Sequence, residues 1–217
     1  MSEQSTRVTD AHYAYLAART TQEDDFLKAL KKAARDADIP AIAISHEQAS
    51  FMQILLRLRG AKDVVEVGTL AGYSAIAMAR ALPEDGKVRT IEIDAGYANF
   101  AREWAKASDV PDRVEVITGA GKEVLPRMAP ESADACFLDA DKTSYRDYLD
   151  EAMRILRPGG LVMVDNAFAF GQLFDENPTD REVPGVKAFN DYIPTVAGLQ
   201  SVIVPLGDGL WVGVKES

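Results

Sequence analysis

After Gly60, the sequence alternates short apolar runs with longer amphipathic stretches, and this alternation constrains the fold more than any other feature. The predicted strands are Asp63–Val67, Val88–Ile93, Val114–Ile117, Ala135–Leu138 and Leu161–Val164. The windows between them that show helical periodicity lie near Gly72–Leu82, Tyr97–Ser108, Lys122–Met128 and Tyr145–Leu156. Strands that alternate with helices in this way form a parallel sheet with helices on both faces. The sequence therefore predicts an α/β fold.

The end of the chain departs from this alternation. Arg157–Gly160 predicts a helix stop and a turn, and a further helix is predicted near Val186–Val196. Two short strands then follow, Ser201–Val204 and Leu210–Val214, which the turn Gly207-Asp208-Gly209 joins. Strands joined by such a turn form a hairpin, so the last strand is predicted to be antiparallel.

The segment before the alternation has helical spacing from about residue 11 to residue 60. Within it, Phe51, Leu55 and Leu58 follow three- and four-residue steps, and Ser45 with Gln48 resembles a capping box. We expect a single domain over residues 1–217, with a helical extension at 1–60 and an α/β core at 61–217.

Composition excludes several classes of protein. The chain has 34 acidic and 24 basic residues, a formal net charge of −10, which argues against nucleic acid as the main partner. Its one cysteine, Cys136, excludes an intramolecular disulfide. No apolar run approaches the roughly 20 residues that cross a bilayer, and the polar opening does not resemble a signal peptide. We therefore expect a cytoplasmic protein without a membrane partner.

The first predicted strand ends in a loop that combines an acidic residue with glycines. Glu66 precedes Gly68 and Gly72, which allow the backbone to turn tightly beside a ligand at the start of a helix. The loop lacks the G-x-G-x-x-G pattern of dinucleotide sites because Leu70 stands at the middle glycine position. Glu66 would repel a pyrophosphate and attract an ammonium or sulfonium group. On its own, the loop is equally consistent with an ordinary strand–turn–helix connection.

The next two strand ends predict a nucleoside pocket. Glu92 lies about 20 residues beyond the glycines, where a carboxylate can accept both ribose hydroxyls, the alternative being a solvated strand-end carboxylate. Asp94 is predicted to cap the following helix. The small residues Gly119–Gly121 would let a flat base lie against the backbone, or they form a tight turn only. Together these features favour S-adenosylmethionine over NAD.

Oxygen-bearing side chains follow the fourth and fifth predicted strands. Asp139, Asp165 and Asn166 offer two carboxylates and one amide oxygen, the hard donors that suit Mg²⁺. Asp165 and Asn166 could alternatively form a turn through side-chain bonds to the backbone. Lys142 is either a solvated loop lysine or, beside a cation and a sulfonium that disfavour its charged form, a proton acceptor.

These segments together resemble the cation-dependent O-methyltransferases, the group of catechol and caffeoyl-CoA O-methyltransferases and their bacterial relatives. The resemblance runs from about Ile44 to Val214 and rests on the motifs E-V-G-T-L-A-G-Y-S (Glu66–Ser74), I-E-I-D (Ile91–Asp94), L-D-A-D-K (Leu138–Lys142), L-R-P-G-G (Leu156–Gly160), V-D-N (Val164–Asn166) and G-D-G-L (Gly207–Leu210). It implies a Rossmann-like class I methyltransferase fold with a seven-stranded, mostly parallel sheet, an antiparallel last strand and helices on both faces. It also implies a homodimer.

The resemblance further implies roles for individual residues. The cofactor S-adenosylmethionine would be bound by Ile44, Glu66, Gly68, Thr69, Ser74, Glu92, Ala120 and Asp139. Asp139, Asp165 and Asn166 would bind Mg²⁺ or another divalent cation, and Lys142 would be the catalytic base.

This sequence departs from the family pattern in two places. Relatives often carry a tryptophan shortly after the Asp-Asn pair, where this chain has Phe168-Ala169-Phe170. Animal catechol enzymes carry a glutamate a few residues before the Asp-Gly-Leu turn, where this chain has Ser201–Val204. We expect the loop Ala167–Pro184 to form a substrate wall, roomier at Ala169, unless its phenylalanines only pack on the sheet.

The function that the sequence predicts is Mg²⁺-dependent methyl transfer from S-adenosylmethionine to a hydroxyl of a small vicinal-dihydroxy aromatic. Methylation of a hydroxyuridine in tRNA is an alternative, disfavoured by the negative charge. A nucleotide-binding oxidoreductase is disfavoured by Leu70 and by a metal set that it would not use. A non-catalytic cofactor binder is disfavoured because Lys142 and all three metal ligands are present.

Overall fold

A computed structural model describes residues 6–216 of the chain. Its helices are α1 (Asp10–Ala17), α2 (Asp25–Asp36), α3 (His46–Arg59), α4 (Tyr73–Ala79), α5 (Ala95–Ala107), α6 (Gly121–Val124), α7 (Tyr145–Ile155) and α8 (Val183–Tyr192). Its strands are β1 (Asp63–Val67), β2 (Lys87–Glu92), β3 (Val114–Thr118), β4 (Ala133–Leu138), β5 (Leu156–Val164), β6 (Leu199–Val204) and β7 (Leu210–Lys215). Within this described range, no helix is long and apolar enough to span a membrane.

The seven strands form one sheet in the order β3-β2-β1-β4-β5-β7-β6. Strands β1 to β5 pair in parallel, whereas β7 is antiparallel to both of its neighbours, β5 and β6. The predicted fold class, including the antiparallel last strand, is confirmed. Strand order reverses between β1 and β4, and in open α/β sheets ligands bind beyond the carboxyl ends of the strands at this point.

Two apolar clusters lie on opposite faces of the sheet. One joins α2, α3 and α4 to the sheet, with Met52, Leu56 and Ile76 fully buried. The other joins α7 and α8 to the opposite face and includes Leu149 and Cys136, the free cysteine. Burial raises the pKa of the Cys136 thiol to about 12.

Helix α3 begins and ends as predicted. Ser45 accepts a hydrogen bond from the Gln48 backbone N–H at its start, and Gly60 ends the helix with a φ of +66°. Its apolar stripe, however, is only partly covered. Ile54 is 52% exposed and Leu58 80% exposed, although both follow the helical spacing.

Strand β5 is longer than predicted because its first residues form a bulge rather than a free turn. Leu156 of β5 pairs with Ala133 of β4, and the next pair is Leu161 with Ala135. Between these two pairs β5 advances by five residues while β4 advances by two. Gly159, at a φ of +75°, lets the backbone loop outward between the two pairs. The predicted turn at residues 157–160 is therefore part of the strand.

Candidate active site

The glycine loop after β1 lies directly against the end of β4. Gly68 has a φ of +99°, and a Cβ added there would lie 1.9 Å from the backbone oxygen of Asp139. Gly72 has a φ of +88° and would contact Ala101 of α5. Glycine is required at both positions, for conformation and, at Gly68, for space. The predicted cofactor loop and Asp139 are thus brought together.

Glu66 is a buried carboxylate with one unused oxygen. Its Oε1 accepts a hydrogen bond from the Ser74 hydroxyl, whereas its Oε2 has no hydrogen-bonding partner among residues 6–216. Burial is the main reason that the pKa of Glu66 rises to about 8, and the charges of Asp139 and Glu92 add to it. A cationic ligand group beside Oε2 would satisfy this oxygen and favour the ionised carboxylate.

Glu92 joins the end of β2 to the glycine loop. Its Oε2 accepts hydrogen bonds from the backbone N–H groups of Thr69 (3.2 Å) and Leu70 (2.8 Å), and its Oε1 accepts one from Asp94 N–H. A carboxylate has about four acceptor positions, so Glu92 retains capacity for a ligand hydroxyl. Asp94 accepts from Tyr97 N–H and caps α5, as predicted.

The other two residues assigned to the cofactor flank this loop. Ile44 is buried in the same apolar cluster as Ala71 of the glycine loop. Ala120 follows Gly119, whose backbone N–H donates to the carbonyl oxygen of Glu92 at 2.8 Å. Both residues therefore lie on elements that contact the glycine loop or the end of β2.

Lys142 is buried between an acid and a phenol. Its Nζ donates hydrogen bonds to Asp139 Oδ1 at 2.8 Å and to the Tyr145 hydroxyl at 2.6 Å. Burial and the surrounding acids raise the pKa of Tyr145 well above its usual range, so the phenol remains a hydrogen-bond partner rather than an ion. The solvated-loop interpretation of Lys142 is wrong, because its side chain is 8% exposed.

Asp165 and Asn166 lie at the end of β5, the strand beside β4. Asp165 is 7% exposed, and its Oδ1 accepts a hydrogen bond from Gln48 Nε2 at 2.8 Å. Burial and the charge of Asp139 raise the pKa of Asp165 to about 7. Asn166 has a φ of +63°, and its Nδ2 donates to Asp208 Oδ2 at 3.1 Å.

The donor set fits a divalent cation of the magnesium type. No group of three or more His, Cys, Asp and Glu side chains that could hold a metal occurs in residues 6–216. The predicted set is instead two carboxylates and one amide, all hard oxygen donors. Burial is the main cause of the raised pKa of Asp165 and the charge of Asp139 adds to it, and a cation held by both carboxylates would offset both effects. Mg²⁺ commonly retains waters, so the remaining positions suit water and substrate oxygens.

A cavity of about 300 Å³ lies between α1, the start of α3 and the turn before β7. Its lining, which we call the α1 cavity, comprises Tyr13, Ala14, Leu16, Ala17, Ser45, Glu47, Leu206 and Gly207. One residue of this lining, Gly207, packs against Gln48, since an added Cβ would lie 2.3 Å from Gln48 Oε1, and Gln48 in turn donates a hydrogen bond to Asp165. The sequence did not predict it, since α1 is distant from these residues along the chain.

The loop Ala167–Pro184, which the sequence predicts to form a substrate wall, does not present Ala169 to a pocket. Ala169 is fully buried in a small cluster with Val183 and Val186, so a larger residue there would overpack this cluster rather than narrow an open pocket. Phe174 is 92% exposed, and Phe168 packs against Gly209. The expectation of a roomier pocket at Ala169 is therefore wrong.

Comparisons with known proteins identify the family of this chain. Residues 17–216 match the model of a family described as O-methyltransferase. A catechol O-methyltransferase from Niastella koreensis is 38% identical over 205 residues, which cover 93% of this chain and 90% of that protein.

Solved structures give the same result. An O-methyltransferase from Bacillus cereus in complex with SAH is 30% identical, with a TM-score of 0.85 over 95% of this chain and 97% of that one. TomG, an O-methyltransferase from Streptomyces achromogenes involved in tomaymycin synthesis and solved with SAM, is 31% identical, with a TM-score of 0.81 over 94% and 95%. The chain belongs to the cation-dependent O-methyltransferase family and is an S-adenosylmethionine-dependent O-methyltransferase.

Proposed function

We propose that this enzyme methylates one hydroxyl of a small vicinal-dihydroxy aromatic in a reaction that requires a divalent cation such as Mg²⁺. The observation that carries the proposal is the juxtaposition of Asp139, Asp165 and Asn166 with Lys142 at the ends of adjacent strands. When bound there, the cation would chelate two neighbouring substrate oxygens and acidify one of them.

Residues of the chain would bind the cofactor and accept the proton of the substrate hydroxyl. Glu66 and Glu92 would hold the two ends of the cofactor, through the unused Oε2 of Glu66 and the remaining acceptor capacity of Glu92. Lys142 Nζ, 2.8 Å from Asp139, would take the hydroxyl proton. Alignment of two bound reactants can itself lower the barrier by about 7–11 kcal/mol.

The α1 cavity supports a small aromatic substrate. Its lining is mostly apolar, and one lining residue, Gly207, packs against Gln48, which contacts Asp165. Ligand pockets commonly combine an apolar lining with a few polar groups, and here the acidic group is Glu47. The relative from Niastella koreensis that is named a catechol O-methyltransferase supports the same substrate class.

We also propose that the enzyme assembles as a homodimer. Apolar side chains are exposed on α3 and on the β6–β7 hairpin, with Leu58 at 80% and Val202 at 59%. Burial of such surface against a second copy would be favourable. A dimeric mass in sedimentation at micromolar concentration is expected, and a monomer would contradict this part of the proposal.

Product analysis after removal of metal ions tests the proposed reaction. Protein dialysed against EDTA should not methylate a catechol, and added Mg²⁺ should restore turnover. A monophenol should react far more slowly, because it cannot chelate a cation through two oxygens. Asp165→Ala should remain inactive at ordinary Mg²⁺, whereas Asp85→Ala, which removes an ion pair with Lys62 before the amino ends of β1 and β2, should be active. Full activity in EDTA would contradict the cation requirement, and methylation of tRNA in place of catechols would favour the alternative substrate.

A further inference from the structure

We propose that Gln48 and Asp208 are positioning residues that fix the donor atoms of two cation ligands, Asp165 and Asn166. The inference rests on the proposed function, since it assumes that these two residues bind a cation. Each ligand makes its hydrogen bond with a side chain that is distant in the sequence, 117 residues away for Gln48 and 42 for Asp208.

Gln48 contributes its side chain to the site rather than to its own helix. In a capping box, the residue three positions after Ser45 would bond back to the backbone at the start of the helix. Gln48 is instead 1% exposed and donates from Nε2 to Asp165 Oδ1 at 2.8 Å. The ionised carboxylate that would bind a cation only accepts, so in that form the amide nitrogen must face it. This bond fixes the orientation of the Asp165 carboxylate, which retains acceptor positions for the cation.

The turn before β7 holds Gln48 in this orientation. Gly207 lies so close to Gln48 Oε1 that an added Cβ would be 2.3 Å away, and its φ is +58°. The Gly-Asp-Gly motif, which the sequence explains only as a hairpin turn, thereby acquires a second role. It packs against one positioning residue and contains the other.

Asp208 determines which end of the Asn166 amide faces the site. Its Oδ2 accepts from Asn166 Nδ2 at 3.1 Å and from Phe170 N–H at 2.7 Å, and its Oδ1 accepts from Gly171 N–H. Because Asp208 only accepts, the nitrogen of the Asn166 amide must point toward it. The amide oxygen of Asn166, the only atom of that group that can bind a cation, is then directed elsewhere.

The two pairs have complementary polarity. At Asp165 the ligand is a carboxylate and the positioning group is an amide, whereas at Asn166 the ligand is an amide and the positioning group is a carboxylate. Loss of groups that orient metal ligands typically weakens metal binding by about 10- to 100-fold. We expect an effect of this size on the affinity for Mn²⁺, a spectroscopic substitute for Mg²⁺, from removal of either residue.

The Asp208 pair can be tested by a rescue. Asp208→Ala frees the Asn166 amide to turn its nitrogen toward the cation, so Mn²⁺ affinity measured by electron paramagnetic resonance should fall about 10- to 100-fold. Addition of Asn166→Asp should restore much of that affinity, because both atoms of a carboxylate can bind the cation. In the otherwise unchanged protein, Asn166→Asp should not strengthen binding comparably, since it places a second carboxylate beside Asp208. A role confined to holding the loop at Phe170 and Gly171 would not produce this rescue.

The Gln48 pair has a matched control on the same helix. Gln48→Met keeps the length of the side chain and removes the donor, and it should weaken Mn²⁺ binding by about 10- to 100-fold. Gln53 is also partly buried and donates to the Ala77 carbonyl oxygen at 2.7 Å, so Gln53→Met removes a similar bond away from the site. That control should leave Mn²⁺ affinity unchanged. Binding of S-adenosylhomocysteine and melting without metal, measured for every variant, report on the fold.

The outcomes separate this proposal from the proposed function. If the unaltered enzyme binds no Mn²⁺, the cation requirement fails and this inference fails with it. If the unaltered enzyme binds Mn²⁺ and the Gln48→Met and Asp208→Ala variants bind it equally well, only the positioning role is overturned. If Gln48→Met does not fold, the Asp208→Ala and Asn166→Asp pair decides the matter, and absence of rescue overturns the proposal.

Discussion

The cofactor half of the site (Glu66, the glycine loop 68–72, Ser74 and Glu92) and the cation half (Asp139, Lys142, Asp165 and Asn166) are held together differently. In the cofactor half, bonds join residues that are close in the sequence, 8 residues apart for Ser74 and Glu66 and 23 for Thr69 and Glu92. In the cation half, Asp165 is bonded to a helix 117 residues away. The first half is one contiguous stretch of β1, α4 and β2, whereas the second depends on the whole fold.

This difference indicates how the two halves should respond to substitution. Changes in the cofactor half should act mainly on cofactor binding and on local stability. Changes in the cation half should act on chemistry and on cation affinity while cofactor binding persists. The following predictions test that separation, beginning with the largest expected effect.

Lys142→Met should lower kcat by about 10²- to 10⁴-fold, the range for loss of a general base. Calorimetry should find the affinity for S-adenosylhomocysteine nearly unchanged, because Lys142 Nζ contacts Asp139 of the cation half and Tyr145, and no residue of the cofactor half. A variant that loses cofactor affinity and turnover in equal measure would show that the halves are not separable at Lys142.

Glu66→Gln should weaken S-adenosylhomocysteine by roughly 10- to 100-fold, the effect of losing a charge-assisted hydrogen bond worth about 1.5–3 kcal/mol. The isosteric glutamine keeps an oxygen that can accept from Ser74 but replaces Oε2, which has no partner among residues 6–216, with a donor. Unchanged affinity in calorimetry would show that a cationic ligand group does not use this oxygen.

The same substitution should stabilise the protein without cofactor at alkaline pH. The pKa of Glu66 is about 8 when folded against an ordinary value of 4.5, so between these values the folded state retains a proton that the unfolded state has lost. Stability from this group therefore decreases as pH rises from 4.5 to about 8. Glu66→Gln should melt above the unaltered protein at pH 8.5, and the difference should shrink toward pH 5. A constant difference would contradict the raised pKa.

Glu92→Ala should weaken S-adenosylhomocysteine about 10-fold or more by removing an acceptor for ribose hydroxyls. It also leaves the Thr69 and Leu70 N–H groups without their acceptor, at a cost of about 1–3 kcal/mol for each group that stays buried. Chemical denaturation and calorimetry on the same variant measure both effects. A stability loss without an affinity loss would assign Glu92 to the loop alone.

Glu47→Gln should have the smallest effect on catalysis of these substitutions, and it tests whether the substrate binds in the α1 cavity. Glu47 lines the α1 cavity, and its carboxylate lies 3.4 Å from His46 Nδ1. Removal of its charge should lower KM for a catechol that carries a carboxylate by about 2- to 5-fold relative to an uncharged catechol. Glu84→Gln, in the loop before the amino end of β2, is the control. Equal changes in KM for both substrates would show that the charge of Glu47 does not act on the carboxylate of the bound substrate.

The fold and the cofactor half could be predicted from the sequence because their signals are local. A strand, a glycine loop and an acid at the next strand end follow one another within about 30 residues, as in other nucleotide-binding βαβ units. That Asp139, Asp165 and Asn166 follow adjacent strands could be predicted for a related reason, since parallel strands bring their carboxyl ends together; their role as cation ligands stays a prediction.

The positioning groups could not be predicted in this way. Gln48 fits a capping box equally well in the sequence, and only the fold shows that its side chain leaves the helix for Asp165. The resemblance assigns Ala169 to a pocket wall because relatives often carry a tryptophan shortly after the Asp-Asn pair, but packing against Val183 buries it. The bulge in β5 was missed because a proline and two glycines in succession are typical of a turn.

Because Cys136 is buried, chemical modification of its thiol can report on transient opening of the sheet. The thiol lies in the central strand β4 with a pKa of about 12, so a maleimide can modify it only when the sheet opens. Because it is the one cysteine in the chain, the rate of its modification follows a single site. A second cysteine introduced at the exposed position of Phe174 could carry a fluorescent label while Cys136 remains unlabelled.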